Sequence, residues 1–157
     1  MASNTLFKFL LAAVILSLYL ANAQTIKFIP CDNVTQDATI NEVDVIPCPK
    51  LPCEFKRGTN VSVSVTFTMG GSKTVTKATT VVHGVIGGLP IPFPTPYTDA
   101  CATTGIKCPL KPDTKNLYKG KLFVRKEYPQ VNVYVKWEMQ DQDSKDVFCF
   151  QVPASVV

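Results

Sequence analysis

A strict alternation of polar and apolar residues over positions 59–69 restricts the fold of this chain more than any other feature of its sequence. From Val61 to Met69 every second residue is valine, phenylalanine or methionine, and the residues between them are serine or threonine. Side chains of a β-strand point alternately to its two faces, so this pattern predicts a strand with one buried and one wet face. Residues 131–140 repeat the pattern, with Trp137 in the apolar set.

Five further segments combine β-branched and aromatic residues with flanking turn residues, and we expect strands in them: 25–30, 38–46, 74–86, 121–126 and 146–152. No helical period is visible after residue 24. About seven strands separated by turns predict an all-β fold, an antiparallel β-sandwich in a single domain. Residues 70–72 (GGS) predict a hairpin turn between the strands on either side, and residues 141–144 (DQDS) predict a turn before the last strand.

Prolines at positions 90, 92, 94 and 96 punctuate the segment that follows VVHGVIGG. Proline has no backbone N–H and a fixed φ, which excludes this run from a helix interior or a central strand. We therefore predict an extended, stiff loop in which Leu89, Ile91 and Phe93 project to one side. Such an apolar loop is unfavourable in water, so it should cover the core or line the mouth of an apolar cavity.

The N-terminus predicts a secretory signal peptide over residues 1–23. Residues 6–20 are predominantly apolar with a single charged residue, a lysine, and residues 21–23 (ANA) match a small-residue cleavage site. An uncleaved membrane anchor is a poorer interpretation because the apolar run is short for a bilayer. Residues 24–157 then remain, which is long enough for one domain with its own core.

Six cysteines in a secreted chain predict three disulfides. Their spacing favours the pairs Cys48–Cys53 and Cys101–Cys108, which leaves Cys31 and Cys149 to join the two ends of the domain. Other connectivities of six cysteines are equally allowed by sequence alone. A zinc site is a poor alternative, since the chain lacks a C-x2-C pair and His83 is its single histidine.

Asn33 and Asn60 each open an N-x-S/T sequon, so we expect glycosylation at exposed positions of a secreted protein. The formal net charge is only +4, and the basic residues are dispersed. A nucleic-acid-binding surface would need a denser basic patch, so we expect no nucleic-acid partner.

Several short motifs occur in a fixed order along the chain: EVDV at 42–45, PCP at 47–49, VSVTFT at 63–68, VVHG at 81–84, PIPFP at 90–94, GIKCP at 105–109, EYP at 127–129 and FCF at 148–150. In this combination and order the chain resembles the ML (lipid-recognition) family over nearly all of residues 24–157, and it is most similar to the family's soluble sterol-transfer branch.

The resemblance implies an immunoglobulin-like β-sandwich whose sheets part to hold a lipid in an apolar cavity. It supports the same disulfides, Cys31–Cys149, Cys48–Cys53 and Cys101–Cys108. The residues that it places at the cavity mouth are Phe93, Val124 and Tyr128. The deeper wall corresponds to Val45, Phe55, Val61, Val63, Val131, Val133, Val135, Trp137 and Phe150. Leu89 and Ile91 fall in the loop that family members press toward a membrane or a receptor, here called the transfer loop.

With this resemblance the sequence predicts a secreted lipid-binding and transfer protein that carries a cholesterol-like sterol and hands it to a membrane or membrane receptor. A carrier of fatty acids or other small apolar signals is an alternative, and so is a lipid-sensing innate-immune recognition module. The alternation alone favours a sandwich with an ordinary filled core, and the proline segment together with the resemblance favours the cavity.

Residues suited to catalysis are sparse. The chain has no G-x-S-x-G motif and a single histidine, so we expect neither an enzyme nor a bound cofactor or metal. We expect His83 to be a hydrogen-bonded structural residue rather than a pH switch. A monomer is the expected state, and the sequence leaves the extracellular fluid and the lysosomal lumen both open as destinations.

Overall fold

A computed structural model describes residues 25–96 and 98–157, and the predicted signal peptide lies outside this range. The described residues form nine strands and one short helix: β1 (Ile29–Pro30), β2 (Ala38–Ile46), β3 (Cys53–Phe55), β4 (Thr59–Met69), β5 (Thr79–Ile86), β6 (Leu89–Pro92), α1 (Ala100–Thr103), β7 (Lys115–Val124), β8 (Val131–Gln140) and β9 (Asp146–Val156). Within this part of the chain no helix has the length and apolar character needed to cross a bilayer.

The strands form two sheets that pack face to face. The larger sheet has the order β1-β9-β8-β5-β6, and β3 pairs with β9 as its only parallel neighbour among the described strands. The smaller sheet has the order β2-β4-β7. The predicted all-β, immunoglobulin-like sandwich is therefore confirmed, with two strands more than the seven expected.

The prediction of a loop for the proline segment is wrong for its first four residues. Leu89–Pro92 form β6, an edge strand paired antiparallel to β5 in a register that sets Ile86 opposite Leu89 and His83 opposite Pro92. Gly87 and Gly88 both have positive φ, which a two-residue hairpin turn of this kind requires. Proline is compatible with an edge strand because only one side of such a strand needs to donate hydrogen bonds.

The predicted hairpin at residues 70–72 is also wrong. β4 pairs with β2 and β7, whereas β5 pairs with β6 and β8, so the 70–72 turn carries the chain from one sheet to the other. Turn residues predict a change in the direction of the chain, but they do not specify which strands pair with each other. The turn at 141–144 does join the antiparallel neighbours β8 and β9, and the Asp141 N–H donates to the Lys145 carbonyl oxygen at 2.8 Å.

All three predicted disulfides are present. Cys31–Cys149 joins the segment after β1 to β9 across 118 residues of sequence, whereas Cys48–Cys53 and Cys101–Cys108 close short loops. In the chain-entropy account, closing a loop of roughly 100 residues removes about 4.7 kcal/mol of unfolded-state freedom. Cys31–Cys149 is thus the bridge with the largest expected effect on stability.

Large side chains fill the half of the sandwich that is remote from β6. Phe148 packs against Phe67 and Tyr118, with ring-centroid distances of 5.2 and 5.5 Å. Met69 and Met139 complete this half, and all of these side chains are fully buried. In the other half the inner faces of β4 and β8 carry mainly valine, so the two halves are packed very differently.

Gly120 on β7 lies directly against side chains of the core between the sheets. A Cβ atom at this position would lie 2.6 Å from Trp137 Cζ2 and 2.9 Å from the Tyr118 hydroxyl oxygen. Both rings are buried and belong to the packed core, so neither can retreat into solvent. The absence of a side chain at position 120 is therefore what lets Trp137 pack this closely against the smaller sheet.

We expect Gly120→Ala to lower the free energy of unfolding by about 1–3 kcal/mol, because the added methyl group overpacks the contact with Trp137. Urea denaturation followed by tryptophan fluorescence measures the change. Lys119→Ala is the matched control, since Lys119 is the exposed neighbour on the same strand. Equal stability of the two variants would contradict the close approach.

Candidate functional site

An apolar cavity of about 260 Å³ lies between the sheets in the valine-rich half, next to β6. Seven of the twelve residues predicted for the lipid site line it: Phe55, Phe93, Val124, Tyr128, Val131, Val133 and Val135. Arg125 is the one charged residue of the lining. The cavity can therefore hold an apolar molecule, with a single cation at its border.

A second, much smaller void of about 10 Å³ lies deeper in the sandwich. The other five predicted residues surround it: Val45, Val61, Val63, Trp137 and Phe150. Phe55, Leu122 and Val135 border both spaces and form the partition between them. The structure thus brings all twelve residues to the inter-sheet space, where they surround two spaces and two of them, Phe55 and Val135, border both.

Phe93 and Tyr128 are half-buried residues of the cavity lining and lie side by side. Their rings meet edge to face with centroids 4.9 Å apart. The Phe93 N–H donates to the Val82 carbonyl oxygen at 2.8 Å, and Arg57 Nη1 donates to the Tyr128 carbonyl oxygen at 3.3 Å. Hydrogen bonds to the main chain therefore hold both residues at their attachment points.

The hydroxyl of Tyr128 is buried and has no hydrogen-bond partner among the described residues. A buried polar atom without a partner is unfavourable by about 1–3 kcal/mol. Tyr128 lines the cavity, so a molecule in the cavity that carries a hydroxyl or carboxylate is a candidate for the missing partner.

The hydroxyl of Tyr118, at the inner end of the inter-sheet space, does have hydrogen-bond partners, in contrast to that of Tyr128. Its hydroxyl accepts a hydrogen bond from Trp137 Nε1 at 3.0 Å and shares another with Thr80 Oγ1 at 2.8 Å. Burial raises the pKa of Tyr118 because the phenolate would lose hydration, although both hydrogen bonds act in the other direction. The polar atoms of Tyr118, Trp137 and Thr80 are satisfied by one another, and no pattern in the sequence predicted this group.

The transfer loop is exposed, as a contact surface would require. The exposed fractions of Leu89 and Ile91 are 71% and 51%. Ile91 also lines the cavity, so the exposed apolar surface continues into the opening. The residues of the lining that sequence reasoning missed are Leu122, Arg125, Pro129 and Val156, together with Gly84, Ile86 and the flanking prolines. For Leu122, alternation with Val124 was an available signal.

Charged groups on the outer face of the larger sheet lie away from the cavity. Glu138 is buried there and contacts both His83 Nδ1 at 3.0 Å and Lys136 Nζ at 2.9 Å, as expected for a structural histidine.

Glu138, Asp146 and Cys149 are close enough to suggest a metal site, but Cys149 is in a disulfide and has no thiolate to offer. Burial, together with the charge of Glu138, raises the pKa of Asp146.

Comparison with known proteins places the chain among lipid-recognition domains. The family model described as the ML domain matches residues 25–156. NPC intracellular cholesterol transporter 2 of Bos taurus is 43% identical over 136 residues, covering 87% of this chain and 88% of that protein. The protein of the same name in Danio rerio is 42% identical over 135 residues, covering 86% of this chain and 87% of that protein.

A solved structure of a similar protein has the same fold. The crystal structure of a Niemann–Pick type C2 protein from the Japanese carpenter ant superposes with a TM-score of 0.76 at 26% identity, and the match covers 84% of this chain and 100% of that one.

Replacing the two tyrosines by phenylalanine should change stability in opposite directions. Tyr128→Phe removes an unpartnered hydroxyl, so the free energy of unfolding should rise by about 1 kcal/mol. Tyr118→Phe leaves Trp137 Nε1 without its acceptor, so the free energy of unfolding should fall by about 1–3 kcal/mol. Urea denaturation of the ligand-free variants measures both, and a fall of similar size in each would contradict the assigned hydrogen bonding.

Proposed function

The chain belongs to the ML-domain family, and from this premise we propose that it is a non-catalytic carrier that binds a sterol in the cavity between its sheets. Relatives named as cholesterol transporters support sterol binding and transport by this domain. The observation that carries the proposal is the apolar lining of the cavity, where Phe93, Val124 and Val133 are typical members.

Binding in such a cavity follows from the hydrophobic effect. Each methylene group moved out of water contributes about 0.8 kcal/mol. A ligand with ~20 buried carbons would gain more than ten kcal/mol before the costs of association are subtracted. Few directed contacts are therefore needed, and the rigid rings of Phe93, Tyr128 and Trp137 supply much of the contact area.

A bound sterol needs more room than the open cavity offers. Pockets for drug-sized molecules occupy about 300–1,000 Å³, whereas this cavity has about 260 Å³. The ligand would gain space by displacing Phe55, Leu122 and Val135, which joins the cavity to the deeper void beside Trp137 and Phe150. The ring system would then lie inward, toward those two aromatic residues.

The polar end of the ligand would remain at the mouth. The buried hydroxyl of Tyr128 lacks a partner, and a sterol hydroxyl can supply one as either donor or acceptor. Phe93 would act as the gate, because its ring lies against Tyr128 at the opening.

Delivery would occur through the transfer loop. Leu89 and Ile91 are exposed, and Ile91 reaches the cavity, so contact with a membrane or a membrane receptor would let the ligand slide out past Phe93 without crossing water. The proposal includes removal of residues 1–23, entry into the secretory pathway and action as a monomer, either outside the cell or in the lysosomal lumen.

A fatty-acid carrier is the second candidate, because Arg125 borders the cavity. Its guanidinium can pair with a carboxylate, and a flexible acyl chain fits a narrow cavity more easily than a rigid ring system. A lipid-sensing innate-immune module would need a wider cavity with a cationic rim, and Arg125 is the single charged residue of this lining.

A displacement series with a fluorescent sterol and a fluorescent fatty acid, at pH 5 and pH 7, tests the proposal, together with mass spectrometry of lipids extracted from the purified protein. We expect sterols to displace both probes. An extract rich in fatty acid, with no sterol uptake, would reject the sterol and support the second candidate.

Val124→Phe should abolish sterol uptake while the fold is retained. Val124 is 1% exposed and lines the cavity, so the larger ring would fill the space beneath Phe93. Leu117→Phe is the matched control, because it adds similar bulk to the outward face of the same strand. Phe93→Ala should accelerate release instead. Normal uptake and release by both cavity variants would contradict the assigned mouth.

A further inference from the structure

We propose that the N-linked glycan on Asn60 packs its first sugar ring on Phe123 and so covers one flank of the cavity mouth. The proposal concerns the outer face of the smaller sheet. It goes beyond the proposed function and depends on entry into the secretory pathway, not on the identity of the ligand.

The register of two strands sets the geometry. Asn60 on β4 and Phe123 on β7 are direct partners in the antiparallel pairing. Residues directly opposite in such a pair have Cβ atoms about 4.5–5.5 Å apart on the same face of the sheet. Both side chains are on the outward face and both are exposed. A sugar attached to Asn60 therefore begins beside the Phe123 ring.

Phe123 is a large apolar residue whose side chain is exposed to solvent. Its exposed fraction is 49%, and phenylalanine on a wet strand face is unfavourable in water. Its ring presents a negative π-face, which attracts the weakly positive C–H groups on one side of an N-acetylglucosamine ring.

The surroundings of Phe123 suit a carbohydrate better than an apolar partner. Asn60 and Phe123 line a surface groove of about 480 Å³ together with Lys121 and Arg125. The two cations are donors for sugar hydroxyl and acetamide oxygens, and Pro94 and Pro96 form the apolar part of the groove. An aromatic floor with polar edges matches the alternating C–H and O–H groups of a sugar.

The attachment is an ordinary group transfer. A lipid-linked oligosaccharide pyrophosphate is the donor, and the oligosaccharyltransferase of the secretory pathway is the catalyst. A bond forms between Asn60 Nδ2 and C1 of the first N-acetylglucosamine, and the bond from C1 to the pyrophosphate oxygen breaks. Asn60 Nδ2 loses one proton, and the lipid pyrophosphate leaves with the electron pair, so nothing is oxidised or reduced.

The glycan would bias the approach of partners. Pro94, Leu122 and Arg125 line both the groove and the cavity, so a sugar in the groove stands on the flank of the mouth. The opposite flank, which carries Leu89 and Ile91, stays bare. A membrane or a receptor could then reach the cavity mouth only from the side of β6.

The test uses the full chain, expressed in a eukaryotic host that adds high-mannose glycans and trimmed with an endoglycosidase to one N-acetylglucosamine per site. Glycopeptide mass spectrometry measures occupancy at Asn60 and at Asn33, whose exposed turn provides a second sequon as a reference. Melting temperatures are then compared for the parent, Asn60→Gln, Phe123→Ala and the double variant.

We expect Asn60 to be occupied, and we expect loss of its sugar to lower the melting temperature by roughly 2–5 °C, the size of a single favourable contact in a domain of this length. The same loss should have no effect in the Phe123→Ala background. Leu117→Ala is the matched control, because Leu117 is 46% exposed on the same face of β7 but pairs with Thr66. In that background the effect of the sugar should persist.

Absence of a glycan at Asn60, whatever the state of Asn33, overturns the proposal. An equal stabilisation in the Phe123 and Phe123→Ala backgrounds overturns it as well, since the sugar would then act without the ring. Sterol displacement measured on the same samples keeps this outcome separate from the proposed function.

Discussion

Valine on both inner faces at one end of the sandwich is the constraint on which the rest of the structure depends. Packed sheets lie about 10 Å apart, and side chains as short as those of Val61, Val63, Val133 and Val135 leave part of that gap empty. At the other end the large and fully buried side chains of Phe67, Tyr118 and Phe148 occupy the gap. The cavity therefore results from a gradient of side-chain size along the strands.

An underfilled interior needs support from outside the core. Cys31–Cys149 joins the N-terminal segment to β9, and Cys48–Cys53 fixes the entry to β3, whose residues pair with the end of β9. Trp137 and Tyr118 close the filled half through their hydrogen bond, and Gly120 lets them approach β7. The disulfides and the contacts of the filled half thus hold the two sheets together although the other half is underfilled.

Much of the fold and of the candidate site could be predicted, because alternation identifies inward-facing residues without knowledge of strand pairing. The inner faces of β4 and β8 follow this rule throughout. The sequence of β7 does not follow this rule, because the apolar residues Leu117 and Phe123 point outward and Gly120 points inward. The first half of β7 therefore shows no alternation of polar and apolar residues. β6 was not predicted, because proline excludes a central strand but is compatible with an edge strand. The pairing of β4 was not predicted either, because it depends on which sheet the chain enters next.

The edge strand β6 has one more consequence. The Phe93 N–H faces β5, so the amide positions of Leu89 and Ile91 share that side and the two prolines occupy the positions that face away. The margin of the larger sheet at β6 consequently offers acceptors but no donors, and a strand from another molecule cannot complete a ladder on it. This edge can therefore expose apolar side chains without offering the full set of hydrogen-bonding groups that edge-to-edge pairing requires.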